Sequence, residues 1–106
     1  MASSKAYLDY ILERLSTLDG ITYRAMMGEF LLYHKGKLFG GIYDDRFLVK
    51  PVKSAREMMP YAEMVPPYAG AKEMLLVGDD KDEEFLHIMV EAICQTENSP
   101  SEPSAK

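Results

Sequence analysis

The side chains best suited to acid–base, nucleophilic or metal chemistry are two histidines, one cysteine and a few aspartates. A nucleophilic thiol needs a base within hydrogen-bond reach, but His87 precedes Cys94 by seven residues, about 10 Å along a helix. No cysteine or carboxylate lies at metal-ligand spacing from both His34 and His87. We therefore predict a buried, unreactive Cys94, an exposed His34 at a strand end, a surface or interface His87, and no metal site.

The aspartates occur as one adjacent pair and one short cluster. Asp44 and Asp45 could share a proton or a cation, but neighbours in a tight turn point apart and aspartate is a common turn residue. Asp79, Asp80 and Asp82 begin like a calcium loop without the glycine that such a loop needs at its sixth position. Glycine-rich phosphate-binding patterns are absent. The sequence predicts neither an enzyme nor a cofactor.

Basic side chains form the one set that suggests binding. The chain is acidic, with a net charge of −5, yet residues 24–56 carry seven basic and three acidic side chains. Arg46 and Lys50 project from the same side of a predicted strand, Lys53 follows, and Arg24 is a possible neighbour. These four cations are the predicted site for an anion or a partner; the alternative is that they only blunt an exposed strand edge. The overall acidity argues against direct nucleic-acid binding.

The elements that would position these residues begin with a helix over 4–18, capped by Ser3 or Ser4 and ended by Asp19-Gly20. Its leucines and isoleucine recur at helical spacing. The following 30 residues change to strand-like patterns, and their short connections require antiparallel pairing. The predicted strands are 21–26, 29–34, 37–43 and 46–50.

Two features of this meander concern its faces. Phe30, Leu32 and His34 share one side of their strand, and Leu31 and Tyr33 share the other. Both sides are apolar, so one side must be partly covered by something other than the first helix. Gly40-Gly41 removes two side chains where a bulge or a closely packed neighbour is expected.

The second half of the chain predicts two helices and one strand. Ser54 and Glu57 match a capping box before a short helix over 55–59. An irregular loop over 61–70 and a strand over 73–77 follow, and the last helix spans 81–96. Its apolar stripe is wide enough to suggest burial between the sheet and a partner such as a second subunit. The stripe consists of Phe85, Ile88, Met89, Ala92 and Ile93, broadened by Leu86 and Val90.

These elements predict one domain over 1–96 and a disordered polar tail over 97–106. The fold class is two-layer α+β, in which a helix at each end packs on an antiparallel sheet made of the meander and one later strand. No apolar run is long enough to span a membrane, and the N-terminus does not resemble a signal peptide. With a single cysteine as well, we expect a cytoplasmic protein.

The segment 24–50 resembles the signature of the TfoX N-terminal domain family, also called TfoX/Sxy. The matching positions are Arg24, Met26, Gly28, Tyr33, Gly36, Asp44 and Lys50, with Met27 where the family usually has phenylalanine. The order of elements is similar over about residues 3–96. This resemblance implies a secretion-chaperone-like α+β fold and a role in regulating competence gene expression beside a DNA-binding partner. We expect a stand-alone N-terminal domain, because the helical C-terminal domain of full-length members has no counterpart here.

We therefore expect a non-enzymatic regulatory or protein-interaction domain that works with a protein partner. A transcription regulator is the candidate partner, and a homodimer is the candidate assembly. The alternative is a domain that binds a nucleotide or another small anion through Arg24, Arg46, Lys50 and Lys53.

Overall fold

The first helix begins where the sequence predicts. In the computed structural model, which describes residues 3–97, α1 spans Lys5–Arg14. The Ser4 hydroxyl accepts a hydrogen bond from the backbone N–H of Tyr7 at 3.1 Å, which caps the helix. The helix ends four residues earlier than predicted, because the chain tightens into turns in which the Leu18 N–H donates to the Leu15 carbonyl. Both leucines nevertheless point into the core.

The predicted meander is confirmed, with ends that differ by at most one residue. Its strands are β1 (Ile21–Met26), β2 (Glu29–His34), β3 (Lys37–Ile42) and β4 (Phe47–Val49). The first two connections are turns of two residues, and in the third the backbones of Tyr43 and Arg46 bond to each other around a turn of two residues. All six turn residues have positive φ: Met27, Gly28, Lys35, Gly36, Asp44 and Asp45. Such turns match the right-handed twist of paired strands. The prediction that Asp44 and Asp45 form a turn is thereby confirmed.

The second half of the chain differs more from the prediction. It contains α2 (Lys53–Met58), β5 (Met64–Val65), β6 (Met74–Leu76) and α3 (Glu83–Glu97). The predicted capping box at Ser54 and Glu57 is wrong, since α2 begins earlier, with Val52 at the N-cap and no capping side chain. At α3, the Asp82 carboxylate accepts from the Phe85 N–H at 2.8 Å and caps the helix.

Residues 61–70 are not wholly irregular, because β5 lies within them. This strand has only two residues, too few to show an alternating pattern, and Pro66-Pro67 follows it directly. It exists because it pairs with β6, where Met64 lies opposite Leu75 and Val65 opposite Met74.

The six strands form one antiparallel sheet in the order β1-β2-β3-β4-β6-β5. Alternation puts Leu32, Val49 and Leu75 on the same face as the buried residues of all three helices. The fold is therefore a two-layer α+β structure, as predicted, and the three helices of residues 3–97 lie on one face of the sheet. The opposite face, which we call the helix-free face, carries the other half of the strand side chains.

The predicted stripe of α3 is partly wrong in its orientation. Leu86, Met89, Val90 and Ile93 are buried in the core, whereas Ile88 is 48% exposed. The helix therefore turns Leu86 and Val90 into the core, although the sequence pattern placed them at the margin of the stripe.

The two central glycines allow close packing, as predicted. The β2–β3 register shifts at Leu32/Tyr33, which leaves Phe39 as an extra, fully buried residue. A Cβ on Gly40 would lie 2.9 Å from the Val49 Cα, so only glycine fits between these strands.

Of the predicted polar tail, residues 98–106 lie outside the described residues, and Glu97 is the last residue of α3. Within residues 3–97, no helix has the length and apolar character needed to cross a membrane.

Candidate interaction site

The four predicted cations do not meet at one point. Arg24 lies on β1, which is three strand positions from β4, or about 14 Å. Arg46 and Lys50 flank β4 at opposite ends, and Lys53 begins α2. Lys50 and Lys53 line two different clefts. Lys53 also approaches Glu57 at 4.0 Å, an exposed pair that contributes little.

The helix-free face gathers apolar and aromatic side chains from neighbouring strands. Leu31, Gly41, Leu48 and Leu76 lie opposite one another across four strands. Leu48 is fully buried although none of the helices in the described part of the chain covers this face. The segment 66–73, between β5 and β6, must therefore cover the face near β4, and its Pro67 is itself buried.

Beside that segment, the helix-free face forms a groove of about 370 Å³. Its lining is mainly apolar and comes from β3, from the residues around β4, and from segment 66–73. We call it the tyrosine groove and define it by Leu38, Tyr43, Lys50, Pro67, Tyr68 and Lys72.

Tyr43 forms part of the groove because Gly41 leaves room for its ring. A Cβ on Gly41 would lie 2.7 Å from a carbon of that ring and 2.7 Å from the Phe30 carbonyl oxygen. Burial raises the pKa of Tyr43, and the nearby Tyr68, Glu29 and Tyr33 raise it further. The Tyr43 phenol therefore stays neutral at ordinary pH.

Arg46 holds the covering segment in place. Its Nε donates to the Tyr43 carbonyl at 3.1 Å, and its guanidinium reaches the carbonyls of Pro66 and Pro67 at 3.4 and 3.5 Å. Through these bonds Arg46 positions the wall of the tyrosine groove. The sequence predicts this arginine as a ligand of an anion or a partner, and the structure adds these contacts within the chain.

The groove combines apolar walls with charge at its margin. Two lysines, Lys50 and Lys72, and one glutamate, Glu73, are among the residues that line it. Tyr68 is 65% exposed, so its ring is available at the surface. A groove lined by tyrosines and lysines can bind a ligand that has an apolar side chain and a carboxylate close to it.

The two histidines and the cysteine considered for chemistry are packed against other parts of the protein. The prediction of an exposed His34 is wrong: its side chain is 7% exposed, because the end of β2 packs beneath α3.

Cys94 is buried as predicted. His87, partly buried, hydrogen-bonds Thr17 at 2.9 Å and lies 3.3 Å from the Glu91 carboxylate. Within residues 3–97, no three His, Cys, Asp or Glu side chains are grouped to hold a metal ion.

Asp44 and Asp45 help to join their turn to the start of α1. Asp45 Oδ1 accepts from the Ser4 N–H at 2.8 Å, and the Asp44 N–H donates to the Glu29 carboxylate at 3.1 Å. The Ser3 hydroxyl donates to the same carboxylate at 2.6 Å. The pair therefore serves to position the chain.

From the sequence, Tyr61, Tyr68 and Pro66-Pro67 could form the rim of a groove, although simple packing is the more common use of such residues. In the structure Pro67 and Tyr68 line the tyrosine groove and Tyr61 does not. Another signal was available, since both sides of β2 are apolar although a helix can cover only one of them. What could not be read from the sequence was the path of segment 66–73, which brings Tyr68 to Tyr43 from 25 residues away.

No family model matches the chain, so the resemblance to the TfoX N-terminal domain stays a prediction. A protein of Spirochaeta aurantia, described as "Uncharacterized 12.7 kDa protein in trpE 5'region", is 33% identical over 84 residues. The match covers 79% of this chain and 72% of the spirochaetal protein. The chain therefore belongs to the same family as this uncharacterized 12.7 kDa protein.

Proposed function

We propose that this protein is a non-enzymatic regulatory domain that binds a partner protein in the tyrosine groove. The observation that carries the proposal is an apolar, tyrosine-lined cleft on a sheet face that no helix of residues 3–97 covers. The role agrees with what a resemblance to the TfoX N-terminal domain implies, where the partner would be a transcription regulator.

The chemistry of the groove favours one kind of ligand. Tyrosine rings provide large contact areas at a small cost in conformational entropy, because each has only two side-chain torsions. Lys50 and Lys72 at the margin favour carboxylates. The proposed ligand is therefore a partner segment that inserts an apolar or aromatic side chain and carries acidic residues beside it.

A small anion such as a nucleotide is the competing ligand. Tyrosine faces and two lysines could hold a base and a phosphate, but the four cations predicted from the sequence are spread over separate parts of the molecule. The groove also has far more apolar than polar lining, which favours a protein segment.

Selection of displayed random peptides on the folded protein tests the proposal. We expect enrichment of peptides that combine an aromatic or aliphatic anchor with acidic residues. Tyr68→Ala should weaken binding of a selected peptide by about tenfold, because loss of one aromatic anchor costs about 1–2 kcal/mol.

Tyr61→Ala is the matched control. Tyr61 is 98% exposed and lies outside the groove lining, so its removal should leave the peptide affinity unchanged. Equal losses in the two variants, or selected peptides without acidic residues, would contradict the proposed groove.

Thermal-shift measurements with nucleotides and phosphorylated sugars test the competing ligand. Tight binding to the native state raises the melting temperature. A rise that Lys50→Met abolishes and Lys5→Met preserves would replace the protein segment with a small anion as the ligand of the groove. The proposal predicts no such rise.

A further inference from the structure

The two edges of the sheet are built differently. The outer edge at β5 has only two residues, and Pro60 and Pro66 lie on either side of it. Short edge strands and prolines are common features that block pairing with another chain. The edge at β1 has six residues, no proline and no bulge. Within the described residues, β1 pairs on one side only. A long, regular edge of this kind can accept another strand.

The hydrogen-bond pattern identifies the backbone groups that remain available. The Lys35 N–H donates to the Gly20 carbonyl at 2.8 Å, just before β1 begins. Because bonded pairs alternate along an antiparallel ladder, Thr22, Arg24 and Met26 direct their N–H and C=O groups toward β2. The intervening residues, 21, 23 and 25, therefore direct theirs away from the sheet.

The side chains of β1 leave this edge open. Five of its six residues are exposed. Tyr23 is 43% exposed and packs its ring edge-to-face on Phe30, with centroids 5.8 Å apart. Arg24 is the only charged residue of the strand and lies on the helix-free face.

We infer that β1 pairs antiparallel with β1 of a second copy of this chain, around a two-fold axis at Tyr23. The two sheets then join into a single sheet of twelve strands. Isologous pairing of this kind uses the same surface on both copies.

The register follows from the backbone pattern and the position of Arg24. Only odd-numbered residues can form the bonded pairs, so Tyr23 can lie opposite Tyr23, Ala25 or Ile21 of the other copy. The second alignment places the two Arg24 side chains opposite each other, which is destabilising. The third leaves the end of the strand unpaired. Pairing at Tyr23 uses residues 21–25 fully and places each Arg24 opposite Thr22 of the other copy.

This inference does not rest on the proposed function. The tyrosine groove begins at β3, whereas the inferred contact involves the far edge at β1. Loss of partner binding would leave the dimer intact, and loss of the dimer would leave the groove intact, so the two failures are distinguishable.

Disulfide trapping in a Cys94→Ala background tests the register. Facing residues in a bonded antiparallel pair have Cα atoms about 5.5 Å apart, within disulfide range. We therefore expect Tyr23→Cys to form a covalent dimer on mild oxidation. Arg24→Cys is the matched control, because its two copies would lie diagonally, about 7–8 Å apart, and should not form a disulfide.

A covalent dimer from Arg24→Cys but not from Tyr23→Cys would overturn the register. No covalent dimer from either variant, together with a monomeric mass in sedimentation equilibrium at the highest soluble concentration, would overturn the dimer itself.

A proline substitution tests the edge without a new thiol. Ala25→Pro removes an N–H that points away from β2, so the ladder within the subunit keeps its bonds. We expect a folded monomer, with unchanged circular dichroism and half the wild-type mass by light scattering. A folded Ala25→Pro variant that still dimerises would contradict pairing through β1. If Ala25→Pro unfolds, Tyr23→Lys replaces it. This substitution would place two ammonium groups together on the two-fold axis, so the folded variant should again be a monomer by light scattering.

Discussion

At the residue scale, His34 shows how the sheet and α3 together decide a side chain's environment. A histidine at a strand end beside a turn usually reaches water, yet His34 is buried where Glu91, Cys94 and Gln95 of α3 lie over the end of β2. No local pattern in the sequence marks this position, because the covering residues are more than 50 positions away.

This burial has a consequence for stability at low pH. Burial lowers the pKa of His34 below its ordinary value of 6.5, and the Lys35 ammonium lowers it further, whereas Glu91 acts in the opposite direction. The unfolded chain then binds a proton more readily than the folded one. The free energy of unfolding should therefore fall as the pH drops below 6.5 toward the folded-state pKa.

His34→Gln should remove this part of the pH dependence. Urea denaturation at neutral pH, and at a pH about one unit below the ordinary pKa of histidine, measures the decrease in the free energy of unfolding. His87→Gln, which replaces the other imidazole, should keep most of the wild-type decrease, because burial and Lys35 lower the pKa of His34 more than His87 does. A decrease that persists in His34→Gln would show that another group is responsible.

At the element scale, turns and strands follow from local residue chemistry. Turn residues mark all three hairpin connections, and each strand between them is within one residue of its prediction. The elements that sequence reasoning missed or misplaced depend on distant partners. The two-residue β5 exists only through its pairing with β6, and α2 starts at a residue that no capping pattern marks.

The turn between β1 and β2 offers a test of this local chemistry. Met27 adopts φ 52°, a conformation that asparagine tolerates better than methionine does. Met27→Asn should therefore raise the free energy of unfolding by about 0.5–1 kcal/mol, on the scale of other substitutions that suit the local backbone. Urea denaturation measures the change.

Met26→Asn is the control for the same hairpin. Met26 is the last residue of β1, where asparagine is disfavoured. It should lower the stability or leave it unchanged. If both substitutions have the same effect, the turn conformation is not the cause.

The orientation of α3 gives a second test at this scale. Leu86→Ala should cost about 2–5 kcal/mol, the usual range for a buried leucine. Ile88→Ala, on the half-exposed side of the same helix, should cost less than about 1 kcal/mol. Chemical denaturation of the two variants decides between this orientation and the one that the apolar pattern alone suggested, in which Ile88 belongs to the buried stripe.

At the scale of the whole molecule, the two-layer design explains where binding can occur. Three helices bury one face of the sheet, and segment 66–73 covers only part of the other. The class of the fold could be predicted because amphipathic periods and turn residues are local signals. The path of segment 66–73 could not be predicted, because it depends on how Arg46 holds Pro66 and Pro67 against the sheet.

Photo-crosslinking in the native host tests the central claim, that a partner occupies the tyrosine groove. A photoreactive phenylalanine analogue would replace Tyr68 in the groove or, as the control, the fully exposed Tyr61 outside it. We predict a discrete covalent adduct with another protein from position 68 and none from position 61. An adduct from position 61 with none from position 68 would contradict the claim.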